Sequence, residues 1–484
     1  MLPLRRIAAD DLHRRRWELL ALTSIGAFMS PLDSAIVAVA LPVMGPALHL
    51  SFATSMWVQA AYLLAMAVLL IPMGRLADQH GRVRFYLLGI AVFTVGSLLA
   101  ALSMNAAWLI GSRVVQGAGA ALLSATSAAI VTAVFPAEER GRALGINVMA
   151  IYLGLSIGPP LGGFLSGAFG WRWIFLVNLP VGAISLIWGW LLLPRGGAEK
   201  SRAPRPDVLG SVLLGAFLIC LLVPLTFGAE WGWMALRSVT MLAVSVLALT
   251  AFVVTELRVA APVLDLDLLR HNRLFAAANL AALLNYMALA AIGVLTAIFL
   301  QLVQGRSPGV TGWLMLSQPA LMALLSPWSG RLSDRVGSRV LTTAGMLAIA
   351  LGMAVLATMG REAGVVHIAG GLAVVGLGMA AFSAPNSSAV MGSVRRDQLS
   401  LASAFLGTMR VTGMALSFAV LGGVAASQLG RLGGRLLFAP ETSGVATQAA
   451  EGYALGYRYA MLVGVALALL GAAVCLTRGP HARS

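Results

Sequence analysis

Charge is scarce in this chain: Asp, Glu, Lys and Arg together make up 11% of its 484 residues. So little polar surface cannot cover a soluble protein of this size. With 59% hydrophobic residues and a mean hydropathy of +0.89, its solvent must be lipid. Cysteine is scarcer still. Cys220 and Cys475 both lie in apolar runs, where a free thiol packs as a small hydrophobe and a structural disulfide would be unusual. His13, His49, His80, His271, His367 and His481 are scattered and show no metal-ligand spacing, so a membrane-embedded enzyme finds no catalytic cluster. No catalytic residue, metal or cofactor is expected. Carboxylates inside apolar runs are rarest of all, and only Asp33 lies clearly in mid-span.

What the chain has instead is a recurrence of apolar stretches, each about 20 residues and so able to cross ~30 Å of hydrocarbon. The hydropathy places fourteen spans near 17 to 40, 52 to 73, 84 to 103, 107 to 134, 141 to 166, 172 to 193, 207 to 227, 237 to 256, 274 to 302, 309 to 329, 338 to 359, 365 to 391, 400 to 427 and 456 to 477. The sixteen polar, Arg-rich residues before the first stretch, with no cleavage site after it, make that stretch a membrane helix and not a removed signal.

A net charge of +15 invites a nucleic-acid reading, which the placement of the bases removes. Of the 33 Lys and Arg, 24 fall in the alternate set of links that includes both termini. Seven fall in the opposite links, and Arg113 and Arg410 lie within spans. The positive-inside rule accounts for this bias and puts both termini in the cytoplasm.

The expected organisation is an N-terminal six-helix bundle over 1–193, a Pro- and Gly-rich cytoplasmic linker over 194–206, two additional helices over 207–256 and a cytoplasmic connector over 257–273. A C-terminal six-helix bundle then occupies 274–484, with a long external segment at about 428–455 that is open to reading as a hairpin or a lid. Internal repetition supports the division. Gly74-Arg75-Leu76-Ala77-Asp78-Gln79-His80-Gly81-Arg82 follows the second span, and Gly330-Arg331-Leu332-Ser333-Asp334-Arg335-Val336-Gly337 follows the tenth. With spans seven and eight as an insertion, each copy ends the second helix of a six-helix set, the way alternating-access carriers are built from duplicated halves. Glycines permit the tight turn and the charges can hold one face closed; an ordinary basic loop is the alternative for either copy taken alone.

Three further features carry chemistry. Asp33 would cost ~3 kcal/mol or more to hold charged at membrane depth, which suits a group that loads and releases a proton; a hydrated position near the helix end is the bland alternative. Arg113 is its natural counter-ion, with backbone carbonyls as the alternative partners. Gly154, Gly158, Gly162 and Gly163 around Pro159 and Pro160 form a small-residue face that lets helices approach closely. Gln59, Tyr62, Gln116, Asn147, Asn285, Gln318, Asn386 and Arg410 are polar in-span candidates to line a substrate cavity near the midplane, though each can equally bond a neighbouring helix.

These residues resemble the major facilitator superfamily over nearly the whole chain, and within it the fourteen-span drug:proton antiporters of the EmrB/QacA type. GRLADQHGR at 74–82 resembles the family's motif A, RVVQGAG at 113–119 its motif B, and GLSIGPPLGG at 154–163 its antiporter-associated motif C. WRWIFLVNLPVG at 171–182 looks like the family's next landmark. LDSAIVAVALP at 32–42 is similar to the first-helix pattern, with Ala35 and Ala38 in place of the usual Thr and Asn. The resemblance implies a proton-coupled antiporter exporting small lipophilic compounds, with Asp33 and Arg113 as the coupling pair. Gly74, Arg75, Asp78, Gly81, Arg82, Gly330, Arg331, Asp334 and Gly337 would form the cytoplasmic gate. A proton-coupled uptake symporter is the alternative on the same fold. The implied partners are the lipid bilayer, protons, a small-molecule substrate and, in a Gram-negative source, a periplasmic adaptor protein; nucleic acid is not among them.

Overall fold

A computed structural model describes residues 15–192, 207–259, 266–395, 398–429, 437–438 and 444–478, and among these every regular element is helical. The first six-span segment gives α1 (Arg16–Ala47), α2 (Phe52–His80), α3 (Arg82–Ala101), α4 (Ala106–Val134), α5 (Ala137–Ala168), the short α6 (Trp173–Leu176) and α7 (Asn178–Leu192). Next come α8 (Val208–Trp231), α9 (Leu236–Glu256) and the short α10 (Leu266–His271). The last segment holds α11 (Arg273–Ile298, continued by a π-helical turn over Phe299–Val303), α12 (Pro308–Met315), α13 (Ser317–Val336), α14 (Ser338–Ala357), α15 (Val365–Gly392), α16 (Leu399–Ser427) and α17 (Gly444–Leu476).

Helix starts follow their capping residues: Asn105 Oδ1 accepts from the Trp108 amide at 2.9 Å, Asp207 Oδ1 from Gly210 at 2.8 Å and Asn272 Oδ1 from Phe275 at 2.9 Å. Thirteen of the helical stretches are long and apolar enough to cross a membrane. The expected tenth span, 309–329, is present but divided. It breaks at Leu316 into α12 and α13, close to Pro319, which has no amide hydrogen to give the Met315 carbonyl. The α13 piece carries Arg331 and Arg335 and several serines, so it lacks the apolarity of its neighbours. The last helix begins twelve residues before the expected 456, so much of the 428–455 segment is helix; Phe438, 5% exposed, packs against Gly45 at the end of α1. The linker at 194–206 lies outside the described residues.

Neighbour relations in the first set recur in the second. Helix α1 packs on α5 as α11 packs on α16, α2 and α3 pack on α4 as α13 and α14 pack on α15, and α3 meets α7 as α14 meets α17. The sets touch through α1 with α11, α2 with α16 and α5 with α12, while α8 and α9 pair with each other and α8 rests on α2 and α16. Val246 and Leu247 on α9 are 64% and 68% exposed, a face that is stable only in hydrocarbon.

Candidate functional site

The glycine face on α5 explains how α1 is held. A side chain at Gly154 would sit 2.5 Å from the Phe28 carbonyl oxygen, one at Gly162 2.8 Å from that of Ile36, and one at Gly158 would overlap the Ala35 methyl. Backbone-to-backbone packing of this kind fixes α1 in depth and rotation, and with it the position of Asp33. The same face continues across the boundary between sets. A side chain at Gly163 would overlap the Pro308 carbonyl of α12, and one at Gly312 would overlap the Pro159 carbonyl of α5. Gln301 Nε2 adds a 2.8 Å bond to the Val39 carbonyl nearby. The contacts of Gly163, Gly312 and Gln301 lie in the half of the bundle remote from the two GRLxDxxG loops.

Asp33 and Arg113 meet in the interior of the first set, each 0% exposed, with Arg113 Nη1 donating to Asp33 Oδ2 at 2.5 Å. The carboxylate is bonded on both oxygens: Asp33 Oδ1 accepts from Gln116 Nε2 at 2.7 Å and from Asn178 Nδ2 at 2.9 Å. Arg113 is likewise held by more than its counter-ion. Its Nε donates to the Val58 carbonyl at 3.0 Å, its Nη1 to Gln116 Oε1 at 2.5 Å and its Nη2 to Gln59 Oε1 at 3.2 Å. Gln59 Nε2 is anchored on the Ser34 carbonyl at 2.7 Å. The guanidinium carbon stands 4.3 Å from the centroid of the Tyr62 ring, whose hydroxyl bonds Ser30 at 2.5 Å. Ser97 Oγ closes the network as acceptor from Gln116 Nε2 at 2.8 Å. Five helices, α1, α2, α3, α4 and α7, thus contribute side chains to one satisfied polar cluster in an apolar bundle.

Of the sequence-derived cavity candidates, Gln59, Tyr62 and Gln116 are brought together here. The others are not. Asn147 donates to Ser127 at 3.0 Å between α5 and α4, and Asn285 Nδ2 reaches Met346 Sδ at 3.2 Å between α11 and α14. Asn386 accepts from Arg478, itself 1% exposed, at one end of α15. Gln318 lies where α13 crosses Gly376, and Arg410 stands with its guanidinium carbon 5.1 Å from the Tyr286 ring centroid. Sequence reasoning missed Asn178 and Ser97. The signal was present for Asn178, an amide within the landmark run 171–182, but nothing marked Ser97 apart from other serines in the spans.

The repeated loops share a backbone device. Gly81 and Gly337 occupy equivalent places in the two copies, with φ of 106° and 88°, a region side chains avoid. In the first copy Asp78 Oδ1 accepts from Arg82 Nε at 2.6 Å, and Arg82 Nη1 reaches the Ala129 carbonyl of α4 at 3.2 Å. Gly74 packs on Ala125, and Arg75 lies in the field of Asp207 and Glu256 on the α8–α9 pair. In the second copy Gly330 is open and Arg331 exposed; the Asp334 side chain lies outside the described residues.

Two similarly packed sets of membrane helices, with a buried charge pair in one and repeated loops at one end, define a multi-pass membrane transporter. The profile of the Major Facilitator Superfamily matches residues 23–299 and 274–484, and the chain belongs to that family. It is 36% identical to "Multidrug resistance protein Stp" of Mycobacterium tuberculosis (strain CDC 1551 / Oshkosh) over 417 residues, covering 86% of this chain and 77% of that protein. It is 30% identical to "Riboflavin transporter RibZ" of Clostridioides difficile (strain 630) over 419 residues, covering 86% of this chain and 90% of that one. The fold is shared with a bacterial homologue of the human lysosomal transporter Spinster, solved inward-facing and unoccupied. That match has a TM-score of 0.68 over 96% of each chain at 17% identity. The protein is therefore an all-α transporter of the cell membrane with the major-facilitator fold.

Proposed function

We propose that this transporter is a proton-coupled antiporter that exports small lipophilic compounds by alternating access, with its termini in the cytoplasm. On this reading it is organised as two six-helix bundles around α8 and α9, with the divided α12–α13 helix completing fourteen spans. The observation that carries the reading is the Asp33–Arg113 pair, 0% exposed and bonded on both carboxylate oxygens. A proton on Asp33 cancels the charge that holds Arg113, Gln116 and Asn178 around it, and so changes how α1 is tied to α4 and α7. Coupling of substrate release to protonation follows if that change accompanies the rocking of the sets. One charge moved through 100 mV supplies ~2.3 kcal/mol, roughly a fortyfold gradient of a neutral compound.

Export, as opposed to uptake, is favoured by the close contact of Gly158, Pro159 and Gly163 on α5 with α1 and α12, and by the relative named for multidrug resistance. The relative named as a riboflavin transporter keeps proton-coupled uptake as the competing reading. Inside-out membrane vesicles with an imposed pH gradient decide between them. Export predicts uncoupler-sensitive accumulation of substrate in vesicles acidified inside, and uptake symport predicts its loss from preloaded vesicles under the same gradient. A Gram-negative source would add a periplasmic adaptor as partner.

A further inference from the structure

Among the described residues, one cation at membrane depth has no anion beside it. Arg410 stands eleven residues into α16, about 16 Å along the helix from its start. Among the described residues the ion pairs are Arg16 with Glu139, Arg82 with Asp78 and Arg113 with Asp33; Arg410 makes none and donates no hydrogen bond. The helices packed on α16 are α2, α8, α11, α15 and α17, and their carboxylates, Asp78, Glu230 and Glu451, all lie near helix ends. Gly407 touches Leu70 on α2, so Asp78 is two turns beyond, about 12 Å away. Glu230 lies past Leu225, which meets α16 at Gly423, and Glu451 lies past the meeting of Gly456 with Ala425.

The setting of Arg410 is where the two sets meet. One turn before it, Gly407 faces α2 of the first set; one turn after it, Gly413 rests on the Leu283 carbonyl and the Tyr286 Cβ of α11. The side chain between them is half-buried and lies over the Tyr286 ring. The other in-span guanidinium, Arg113, is fully buried and matched by Asp33, so the charge presented between the sets is positive. A guanidinium offers planar paired donors that fit a carboxylate, sulfonate or phenolate, and leaving it without a counter-ion at this depth is costly.

We propose that Arg410 and Tyr286 form a subsite for the anionic group of an aromatic cargo, which supplies the missing counter-ion while its ring packs beside Tyr286. The inference rests on the export reading and narrows its cargo class. It also improves the energetics of that cycle. A monoanion leaving as one proton enters moves two charges down the membrane potential, worth on the order of 10³-fold in gradient per 100 mV.

The test uses purified full-length protein in detergent and two dyes sharing a xanthene nucleus, anionic fluorescein and cationic rhodamine 123, with binding read by fluorescence anisotropy. Wild type is expected to bind fluorescein at least about tenfold more tightly than rhodamine 123. Arg410→Gln should erase that preference by weakening fluorescein binding, with rhodamine 123 bound at least as tightly as by wild type, the control that the protein is folded. Arg410→Lys, which keeps the charge and loses the paired donors, should fall between. Equal affinities in wild type, or an undiminished fluorescein preference in Arg410→Gln, overturn the proposal. Binding needs no proton gradient. Charge-selective binding without vesicle export would defeat the export reading alone, and proton-driven export without anion preference would defeat this one alone.

Discussion

Replacing Asp33 by Asn keeps the side chain's shape and removes its charge, and the surrounding geometry dictates the cost. Oδ2 faces Arg113 Nη1 at 2.5 Å, while Oδ1 faces the amide donors of Gln116 and Asn178 at 2.7 and 2.9 Å. An Asn amide nitrogen in the first position opposes the guanidinium; in the second it opposes two NH2 groups. Either orientation sets donor against donor and leaves a buried guanidinium without its counter-ion, a change that costs about 3–5 kcal/mol when one partner of a buried pair is removed. Asp33→Asn should therefore unfold at markedly lower denaturant or temperature in detergent. Arg113→Gln in the same background should recover most of the loss, because no unmatched charge remains. In vesicles the variant should carry substrate downhill but not uphill, its accumulation ratio falling from roughly fortyfold per 100 mV toward one. Proton-driven accumulation at the wild-type level by a well-folded Asp33→Asn protein would refute the role given to this residue. Destabilisation below ~1 kcal/mol would refute the bonding that motivates it.

Further outcomes follow from the same geometry. Asn178→Ala removes one of the three donors on Asp33 and should cost about 1–3 kcal/mol, a loss that shrinks when measured in Asp33→Asn; equal losses in both backgrounds would mean the amide acts elsewhere. Gly81→Ala and Gly337→Ala force a methyl into backbone at φ of 106° and 88°, so each should destabilise by about 1–3 kcal/mol in a denaturant titration, to similar extents in the two halves. Gly312→Ala drives a methyl into the Pro159 carbonyl and should keep the end remote from the repeated loops from closing. The readouts are a fall in transport at normal expression and faster labelling of a cysteine introduced at Ala38, and an unchanged labelling rate would show that this contact does not seal that end.

The parts of this fold legible in the sequence are those where lipid makes an exception expensive. A carboxylate and a guanidinium in apolar runs have few places to go, and Asp33 and Arg113 are found in contact. Gly154, Gly158 and Gly162 at successive turns could only mean close backbone packing, and the structure supplies α1 as the partner. Uncharged amides carry no such compulsion. Whether Gln116 or Asn147 joins the charged cluster depends on helix rotation, which tertiary packing sets; one reaches Asp33 and the other reaches Ser127. The division of α12 from α13 was masked because the apolar count spreads evenly over a window that ignores backbone hydrogen bonding at Pro319. The Tyr86 hydroxyl donates to the Leu22 carbonyl at 2.6 Å and accepts from the Gly26 amide at 3.1 Å, entering α1 beside a residue whose side chain is only hydrogen. A pattern of spans gives no view of such an insertion.

The cost of opening the pair bears on how the proposed cycle can run. One proton crossing 100 mV brings ~2.3 kcal/mol, less than the ~3–5 kcal/mol expected for stranding either buried charge, so the potential alone does not pull the pair apart. The site must instead limit that cost once Asp33 is neutral, and the remaining partners of Arg113 offset part of it. The Val58 carbonyl, Gln116 Oε1, Gln59 Oε1 and the Tyr62 ring hold the guanidinium from α2 and α4, and Gln59 and Tyr62 are themselves bonded to Ser34 and Ser30 of α1. Asp33 is the charged member that belongs to α1, a helix that Gly154, Gly158 and Gly162 hold in close backbone contact with α5. Protonation then removes the one charge by which α1 holds the guanidinium, while the bonds of Ser34 with Gln59 and of Ser30 with Tyr62 persist. The remaining partners of Arg113 matter to the cycle as much as the acid does, because without them the proton would have to pay the full cost of an unmatched cation.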